Sequence, residues 1–417
     1  MRIAMVSEHA GPLAVLGGED AGGQNVHVAE LARALGARGH DVTVYTRRTA
    51  PDQPATVDFA PGVRVRHVPA GPPREIPKDD LPAHMPAFGA WLAAEWARTT
   101  PDIVHAHYWM SGLAALQGTA DLGVPVVATF HALGVVKRRH QGEADTSPPE
   151  REAAERTVAL ESARVIATSV DERRELRSWG VPGARIAVVP CGVDTELFRP
   201  EGPAAPRGER PRVLSLGRLV PRKGVDTVVR AMAAVPEADL VVAGGPPADG
   251  LDADPEVARL RGIARACGVA DRVEFTGRVA RADVPALLRS ADIAVNVPWY
   301  EPFGMCTVEA MACGVPVIAS SVGGHLDTMI QDVTGRLIPP ADPRTLAAWL
   351  RTLLTDPVLK ESFGIAGADR AMARYTWPLI ARQTEEHYDR VLLERGSAPP
   401  PRAAEHAAGP ATLTGGA

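Results

Sequence analysis

The strongest constraint on what this chain can fold into is a rhythm: short apolar runs alternate with longer stretches of helical pattern from one end to the other. A parallel neighbour strand can be reached only through a crossover of about a dozen or more residues, usually a helix, so this alternation predicts parallel sheets covered by helices. Strands are predicted at Arg2–Val6, Asp41–Tyr45, Val63–Val68, Ile103–His107, Val126–Phe130, Arg164–Thr168 and Ile186–Val189. The rhythm resumes with Arg212–Leu216, Asp239–Val242, Arg272–Phe275, Ile293–Val297 and Val315–Ala319. Between the first two strands, Gln24–Arg38 reads as a helix with Val28, Leu31, Ala32 and Leu35 on one face and Gly39 as its stop.

With 417 residues the chain is too long for one ordinary core, and two domains of roughly 150–200 residues are expected. The segment Phe198 to Pro211, FRPEGPAAPRGERP, is rich in Pro, Gly and charge and reads as a linker. The predicted plan is an N-terminal doubly wound domain over 1–197, the linker over 198–211 and a second doubly wound domain over 212–375. A helix over 376–395 can return to the first domain, and the aperiodic tail over 396–417 reads as disordered. Two such domains facing each other leave a cleft at the carboxyl ends of their strands, where ligands bind.

The formal net charge of −5 argues against nucleic acid or an anionic membrane as a partner, since both select basic surfaces. No apolar run approaches the roughly 18 residues that span a bilayer. MRIAMVSEH has too short an apolar stretch for a signal peptide, so it reads as a buried first strand and the protein as cytoplasmic. Cys191, Cys267, Cys306 and Cys313 form no CxxC pair, which disfavours a disulfide framework or zinc site. The chain's lysines are Lys78, Lys137, Lys223 and Lys360 alone, arginine supplying the rest of its 45 basic residues. Each of these lysines is therefore worth weighing as a point-charge contact for an anion. The sequence leaves a homo-oligomer open.

The densest chemical signal runs from Glu301 to Thr334, EPFGMCTVEAMACGVPVIASSVGGHLDTMIQDVT. Glu301 and Glu309 lie eight residues apart around a Phe303-Gly304 turn, with a helix predicted to start near Gly304. A helix N-terminus offers free N–H groups and positive potential to a diphosphate. Carboxylates beside it can each accept two hydrogen bonds from a vicinal diol; taken alone, the pair could equally reflect the preference of acidic residues for helix starts. Arg218 and Lys223 follow a strand end, five residues apart across a proline turn. They can grip one anion from two sides, a guanidinium bidentately and an ammonium as a mobile point charge.

This segment resembles the signature of the nucleotide-sugar glycosyltransferase family 4, with its E-x7-E arrangement and GT-B fold. The similarity continues through Ala312-Cys313-Gly314-Val315-Pro316-Val317, Gly323-Gly324 and Thr334-Gly335. Upstream, Gly217-Arg218-Leu219 with Lys223-Gly224 resembles the family's GRL…KG phosphate stretch. Pro190-Cys191-Gly192-Val193-Asp194 with Phe198 resembles its hinge, and Gly22-Gly23-Gln24-Asn25 its N-terminal glycine loop. The resemblance spans nearly the whole chain and implies an α/β GT-B protein of two facing Rossmann-like domains.

What the resemblance implies for the site follows residue by residue. Arg218 and Lys223 stabilise the leaving nucleoside diphosphate, a role that a metal plays elsewhere, so neither a metal nor a cofactor is expected. Glu309 holds the ribose and Glu301 the donor sugar, with backbone N–H groups of Phe303, Gly304 and Met305 positioning sugar and phosphates. Gly22 and Gly23 let the loop pass close to the diphosphate, and His131 contacts the sugar near the reacting carbon. The mechanism implied is retaining and front-face, with a departing phosphate oxygen taking the acceptor proton. The partners are then a nucleotide-sugar donor, UDP by default, and a small acceptor.

For that acceptor, the SEHA…GGxDAGGQNVHV and HYWMSG segments look most like actinobacterial transferases of the mycothiol pathway, acting on inositol phosphate, and of aminoglycoside biosynthesis, acting on aminocyclitols. Asn25, Lys78 and Tyr108 match positions the inositol-phosphate enzymes use. Ala132, however, stands where those carry a phosphate-binding Thr, and Glu8, Glu19 and Asp20 near the glycine loop suit a cation. An aminocyclitol intermediate is therefore the expected acceptor, with inositol phosphate or a sugar phosphate as the alternative, and a nucleotide-sugar epimerase or sensor as a different class on the same fold. The carboxylate expected after the Gly-Gly loop is replaced by His325-Leu326-Asp327, a change expected to bear on sugar selection. Asp252-Ala253-Asp254 is expected to be a solvated loop and His105 with His107 strand-end packing, while the Trp91 and Trp96 helix and the Tyr108-Trp109 pair suit stacking on a sugar and core or rim packing equally.

Overall fold

The computed structural model describes residues 1–13 and 22–396; Glu19, Asp20 and the tail beyond Gly396 lie outside the described residues. The first sheet comprises β1 (Arg2–Val6), β2 (Asp41–Arg47), β3 (Thr56–Ala60), β4 (Val63–Val68), β5 (Ile103–His107), β6 (Val126–Thr129), β7 (Arg164–Ala167) and β8 (Ile186–Val188). They lie in the order β3-β4-β2-β1-β5-β6-β7-β8, and every pairing is parallel except the β3–β4 hairpin. The second sheet holds β9 (Arg212–Leu216), β10 (Asp239–Ala243), β11 (Val273–Gly277), β12 (Ile293–Asn296), β13 (Val317–Ser320) and β14 (Arg336–Ile338). Its order is β11-β10-β9-β12-β13-β14.

The strands read as near-continuous apolar runs because helices cover both faces of each sheet. In β1, Ile3 and Met5 pack with Val28, Leu31 and Leu35 of the helix Gly23–Ala37. Ala4 and Val6 point the other way, into a core that contains Phe88, Leu92 and Trp96. Strand order reverses at β1, flanked by β2 and β5, and again at β9, flanked by β10 and β12. The loops leaving these strands diverge there and open a crevice at the carboxyl ends.

No strand or helix occupies residues 199–211, but Phe198, at the start of the expected linker, is fully buried in the second domain's core. Its apolar ring has a packed site to fill, so the unpacked stretch begins one residue later. The final helix, Trp377–Gly396, leaves the second domain and packs on the first. There Trp377, Ile380 and Tyr388 are buried with β1 and the helix Gly23–Ala37, while Arg164 pairs with Glu394 at 3.0 Å.

Between that helix and the crevice lie His27, His105, His107 and His131. His105 is fixed in its tautomer by its partners. Thr129 donates its hydroxyl to the Ile166 carbonyl at 3.0 Å, so it can only accept from His105 Nε2, at 2.9 Å, and His105 Nδ1 then accepts the Tyr388 hydroxyl at 2.6 Å. Burial lowers the pKa of His27 to about 4 and, helped by the charge His27 would carry, that of His105 to about 3. His107 and His131 are held well below the ordinary range, first by burial and then by one another's neighbours. The unfolded chain takes up these protons near pH 6.5 and the folded chain refuses them. The histidines' contribution to stability is therefore full above pH 6.5 and falls as the pH drops from there through 4 to 3, each refused proton costing about 1.4 kcal/mol per pH unit. Urea unfolding across pH 7.5 to 4 should show that decline, and His27→Phe should flatten it; an unchanged slope in the variant would remove His27 from the account.

Candidate active site

The crevice between the domains is a cleft of about 380 Å³ lined by both. On the second domain's side, β9 ends at Leu216 and the chain turns through Gly217, Arg218 and a short 3₁₀ turn at Pro221–Lys223. Gly224 follows at φ 69°, and a Cβ there would stand 2.1 Å from the Val297 carbonyl oxygen. Only glycine lets this loop lie against the end of β12. Arg218 and Lys223 both line the cleft, Arg218 more exposed at its rim.

Lys223 reaches across this wall to Glu301, with Nζ 2.5 Å from Oε2. Burial alone would raise the Glu301 pKa, but the Lys223 charge, with His325 and Arg222, overrides it and holds the carboxyl down at about 2. Glu301 is thus an acceptor of hydrogen bonds at any physiological pH. The helix Met305–Ala312 begins after Gly304 at φ 100°, where a Cβ would meet the His325 ring at 2.6 Å. Val308 N is the first to bond back, to Gly304 O at 3.1 Å. This leaves the N–H groups of Phe303, Gly304 and Met305 available at the positive end of the helix, and all three residues line the cleft.

Glu309 also lines the cleft, but it does not stand alone. Arg281, which spacing did not single out, donates to Glu309 Oε1 at 2.9 Å, and burial raises the carboxyl pKa while Arg281 lowers it. Oε2 remains for a vicinal diol. The Gly323-Gly324 loop lies directly behind Glu301 and Phe303, with Gly324 N donating to Glu301 O at 2.8 Å. A Cβ on Gly324 would sit 2.4 Å from the Phe303 Cα.

The expectation for His325 and Asp327 changes with the structure. His325 is fully buried; its Nδ1–H bonds the Ser320 carbonyl at 2.9 Å, so its Nε2 accepts the Thr307 hydroxyl at 3.1 Å. It props the loop from behind and makes no part of the cleft wall. Asp327 Oδ2 accepts Val170 N of the opposite domain at 2.6 Å, at the start of the helix Val170–Ser178.

On the first domain's side, Gly22 and Gly23 open the helix Gly23–Ala37 at the cleft. A Cβ on Gly22 would meet open space, and one on Gly23 would lie 3.0 Å from Met305 Sδ across the cleft. Asn25, expected at the acceptor, is buried and does not line the cleft. Its Oδ1 accepts Gly22 N at 3.1 Å and its Nδ2 donates to Gly11 O at 3.2 Å, so both ends of the amide are spent holding the glycine loop. Gln24, its unremarked neighbour, lines the cleft and donates to the His107 carbonyl at 3.2 Å.

Lys78 and Tyr108 do line the cleft, the ammonium 4.9 Å from the phenol ring centre. Tyr108 sits at φ 84° where β5 turns into the helix Trp109–Thr119. Buried Arg151 lies 5.2 Å from the same ring and donates to the Ala132 carbonyl at 2.9 Å and to Glu155 at 2.7 Å. His131, at φ 63°, leans on His107, Nε2 to Nδ1 at 3.0 Å, and lines the cleft. Glu8 is buried, bonded to Ser111 and to His9 at 2.6 Å, and is not offered to a ligand.

One further group joins the two walls. Tyr300, after β12, accepts a hydrogen bond from Gln141 Nε2 at 2.8 Å, and the His140 ring stacks on it at 5.2 Å. Both partners belong to the first domain's helix Gly134–Gln141. The Arg222 guanidinium lies 5.2 Å from the centre of the same ring.

The discounted motifs have structural duties. Asp254 caps the helix Pro255–Ala266, accepting Glu256 N and Val257 N at 2.9 Å each, and Asp252 pairs with Arg261. Trp96 is core. Among the described residues no cluster of His, Cys, Asp or Glu has the makings of a metal site, and no helix is long and apolar enough to cross a membrane.

Comparison with known proteins agrees with this geometry. Residues 21–197 match the family model described as Glycosyltransferase Family 4, and residues 201–370 that of Glycosyl transferases group 1. A protein of Kineococcus radiotolerans named D-inositol 3-phosphate glycosyltransferase is 38% identical over 95% of this chain and 97% of its own. One of the same name from Xylanimonas cellulosilytica is 39% identical over 94% and 98%. Among solved structures, sucrose-phosphate synthase from Thermosynechococcus elongatus superposes with a TM-score of 0.86 at 34% identity, over 94% of this chain and all of that one. A glycosyltransferase from Rickettsia africae shares the fold at 17% identity, with a TM-score of 0.71 over 94% and 98%. With both halves matched and the cleft intact, the chain belongs to the family 4 and group 1 glycosyltransferases of GT-B fold.

Proposed function

We propose that the protein is a retaining transferase that moves a hexose from a UDP-sugar to a small phosphorylated polyol, an inositol phosphate or a sugar phosphate. The observation that carries this reading is the placement of cations on both walls of one cleft, Arg218 and Lys223 on one side and Lys78 on the other. A nucleoside diphosphate suits the first pair and an acceptor phosphate the second. The names of the relatives, D-inositol 3-phosphate glycosyltransferase and sucrose-phosphate synthase, support an acceptor bearing phosphate. An aminocyclitol, the acceptor suggested by Ala132 and the acidic residues, would bring its charge against Lys78, and Glu8 is already bonded.

In this reading the diphosphate rests on the N–H groups before the helix Met305–Ala312 and draws Lys223 toward its oxygens. Glu301, released to its donor-facing role, accepts the sugar hydroxyls, and Glu309 Oε2 accepts the ribose. The front face of the anomeric carbon then meets the acceptor from the wall of Lys78 and Tyr108, and the departing phosphate oxygen takes the acceptor proton. The cations stabilise charge as it develops on the leaving group, the largest catalytic contribution here, and the reaction needs no metal.

UDP release from UDP-hexoses, measured with inositol phosphate in excess chelator, tests the reading, and the anomeric configuration of the product tests retention. Lys223→Ala and Glu301→Ala should each lower turnover by about a hundredfold or more, the scale of one preorganised electrostatic contact. Near wild-type rates in either would overturn the site assignment. Lys78→Ala should raise the KM for the phosphorylated acceptor by about tenfold and leave the donor KM in place. Stimulation by an aminocyclitol and not by inositol phosphate or a sugar phosphate would replace the acceptor reading.

A further inference from the structure

Arg222 is a charged side chain in the cleft that forms no ion pair among the described residues. It lines the cleft beside Lys223, yet no carboxylate or carbonyl of the described residues comes within hydrogen-bonding distance of its guanidinium. Its Nη1 is buried without a partner. A buried guanidinium nitrogen with nothing to bond is costly, and such a group persists where a ligand satisfies it. What holds it is an aromatic face: the guanidinium carbon lies 5.2 Å from the Tyr300 ring centre, a cation–π geometry. The backbone is pinned as well, Trp299 N donating to Arg222 O at 2.8 Å. Its charge reaches the Glu301 carboxylate, which is already bonded to Lys223.

Tyr300 is itself held from the opposite domain, by Gln141 and the His140 ring. The platform for Arg222 is therefore completed by the first domain.

We infer that Arg222 is a third anion-binding cation of the donor subsite, contacting the terminal phosphate of the nucleoside diphosphate beside Lys223, and that Tyr300 is the residue that positions it. The inference rests on the nucleotide-sugar reading above and deepens it. Arg222 adjoins Lys223 on the same turn, which favours the leaving diphosphate over the acceptor phosphate, whose cation Lys78 stands on the other wall. The planar fork fixes two parallel bonds to phosphate oxygens, a geometry that the lysine's rotating ammonium does not impose.

Calorimetry on the full-length protein with UDP, UMP and uridine separates the outcomes. Arg222→Ala should weaken UDP binding by about tenfold while uridine binding stays within about twofold. Tyr300→Leu should copy that loss, and Tyr300→Phe, which keeps the ring, should restore it. An equal loss for uridine would make Arg222 a prop of the fold and overturn the inference. Unchanged UDP binding with a raised KM for the phosphorylated acceptor would overturn it too, moving Arg222 to the acceptor. Wild-type protein that binds no nucleoside diphosphate would bring down the donor reading and this inference together, whereas wild-type binding matched by Arg222→Ala would bring down this inference alone.

Discussion

The ion pair between Lys223 and Glu301 is the interaction on which the cleft depends. Each comes from a loop leaving the second sheet, one after β9 and one after β12, so their meeting fixes the separation of the two loops. Two charges taken out of water repay their desolvation only with good geometry and further hydrogen bonds, and here the Lys223 charge is strong enough to keep Glu301 ionised against its burial. Bringing the two loops this close makes a steric demand on the backbone. The glycines around it follow from that demand. Gly224 at φ 69° and Gly304 at φ 100° sit where a Cβ would run into Val297 O or the His325 ring, and the loops could not come so close without them.

Most of this architecture is legible in the sequence because it rests on local rules. Parallel strands buried on both faces are mostly apolar, and β1, β5 and β9 lie within the bounds that their short apolar runs predict. Two strands escaped. β3 (Thr56–Ala60) is the antiparallel edge of its sheet, half-buried along its length, and without burial on both faces it has no apolar run to betray it. β14 (Arg336–Ile338) has three residues and one side chain fully in the core, too short for a period to show.

The site divides along similar lines. Residues whose role is set by a backbone turn or a helix end, such as Gly304, Glu301 and Lys223, can be found from spacing. Those whose role depends on where a long side chain points cannot. Arg281 and Arg222 are two arginines among many, and nothing in a sequence so rich in arginine marks the one that reaches Glu309 or the one that lies over Tyr300. Asn25 errs in the opposite direction. It occupies the right place on the helix, but the loop before it has unpaired backbone groups, and an amide with a donor and an acceptor satisfies two of them at once.

Several contacts cross the cleft and join the two domains. Tyr300 meets Gln141, Met305 meets Gly23, and Asp327 caps the helix Val170–Ser178 from the other domain. The last of these accounts for a departure in the sequence. Asp327 stands close after a glycine pair where the family resemblance leads one to expect a glutamate for the sugar, and its carboxylate is one methylene shorter. With His325 propping the loop from behind, that shorter reach ends on the first free N–H of a helix, where a negative charge is favoured by the helix dipole. Asp327 therefore serves the joint between the domains, and with Glu309 bonded to Arg281 and Glu301 to Lys223 the cleft offers fewer uncommitted carboxylates than its motifs suggest.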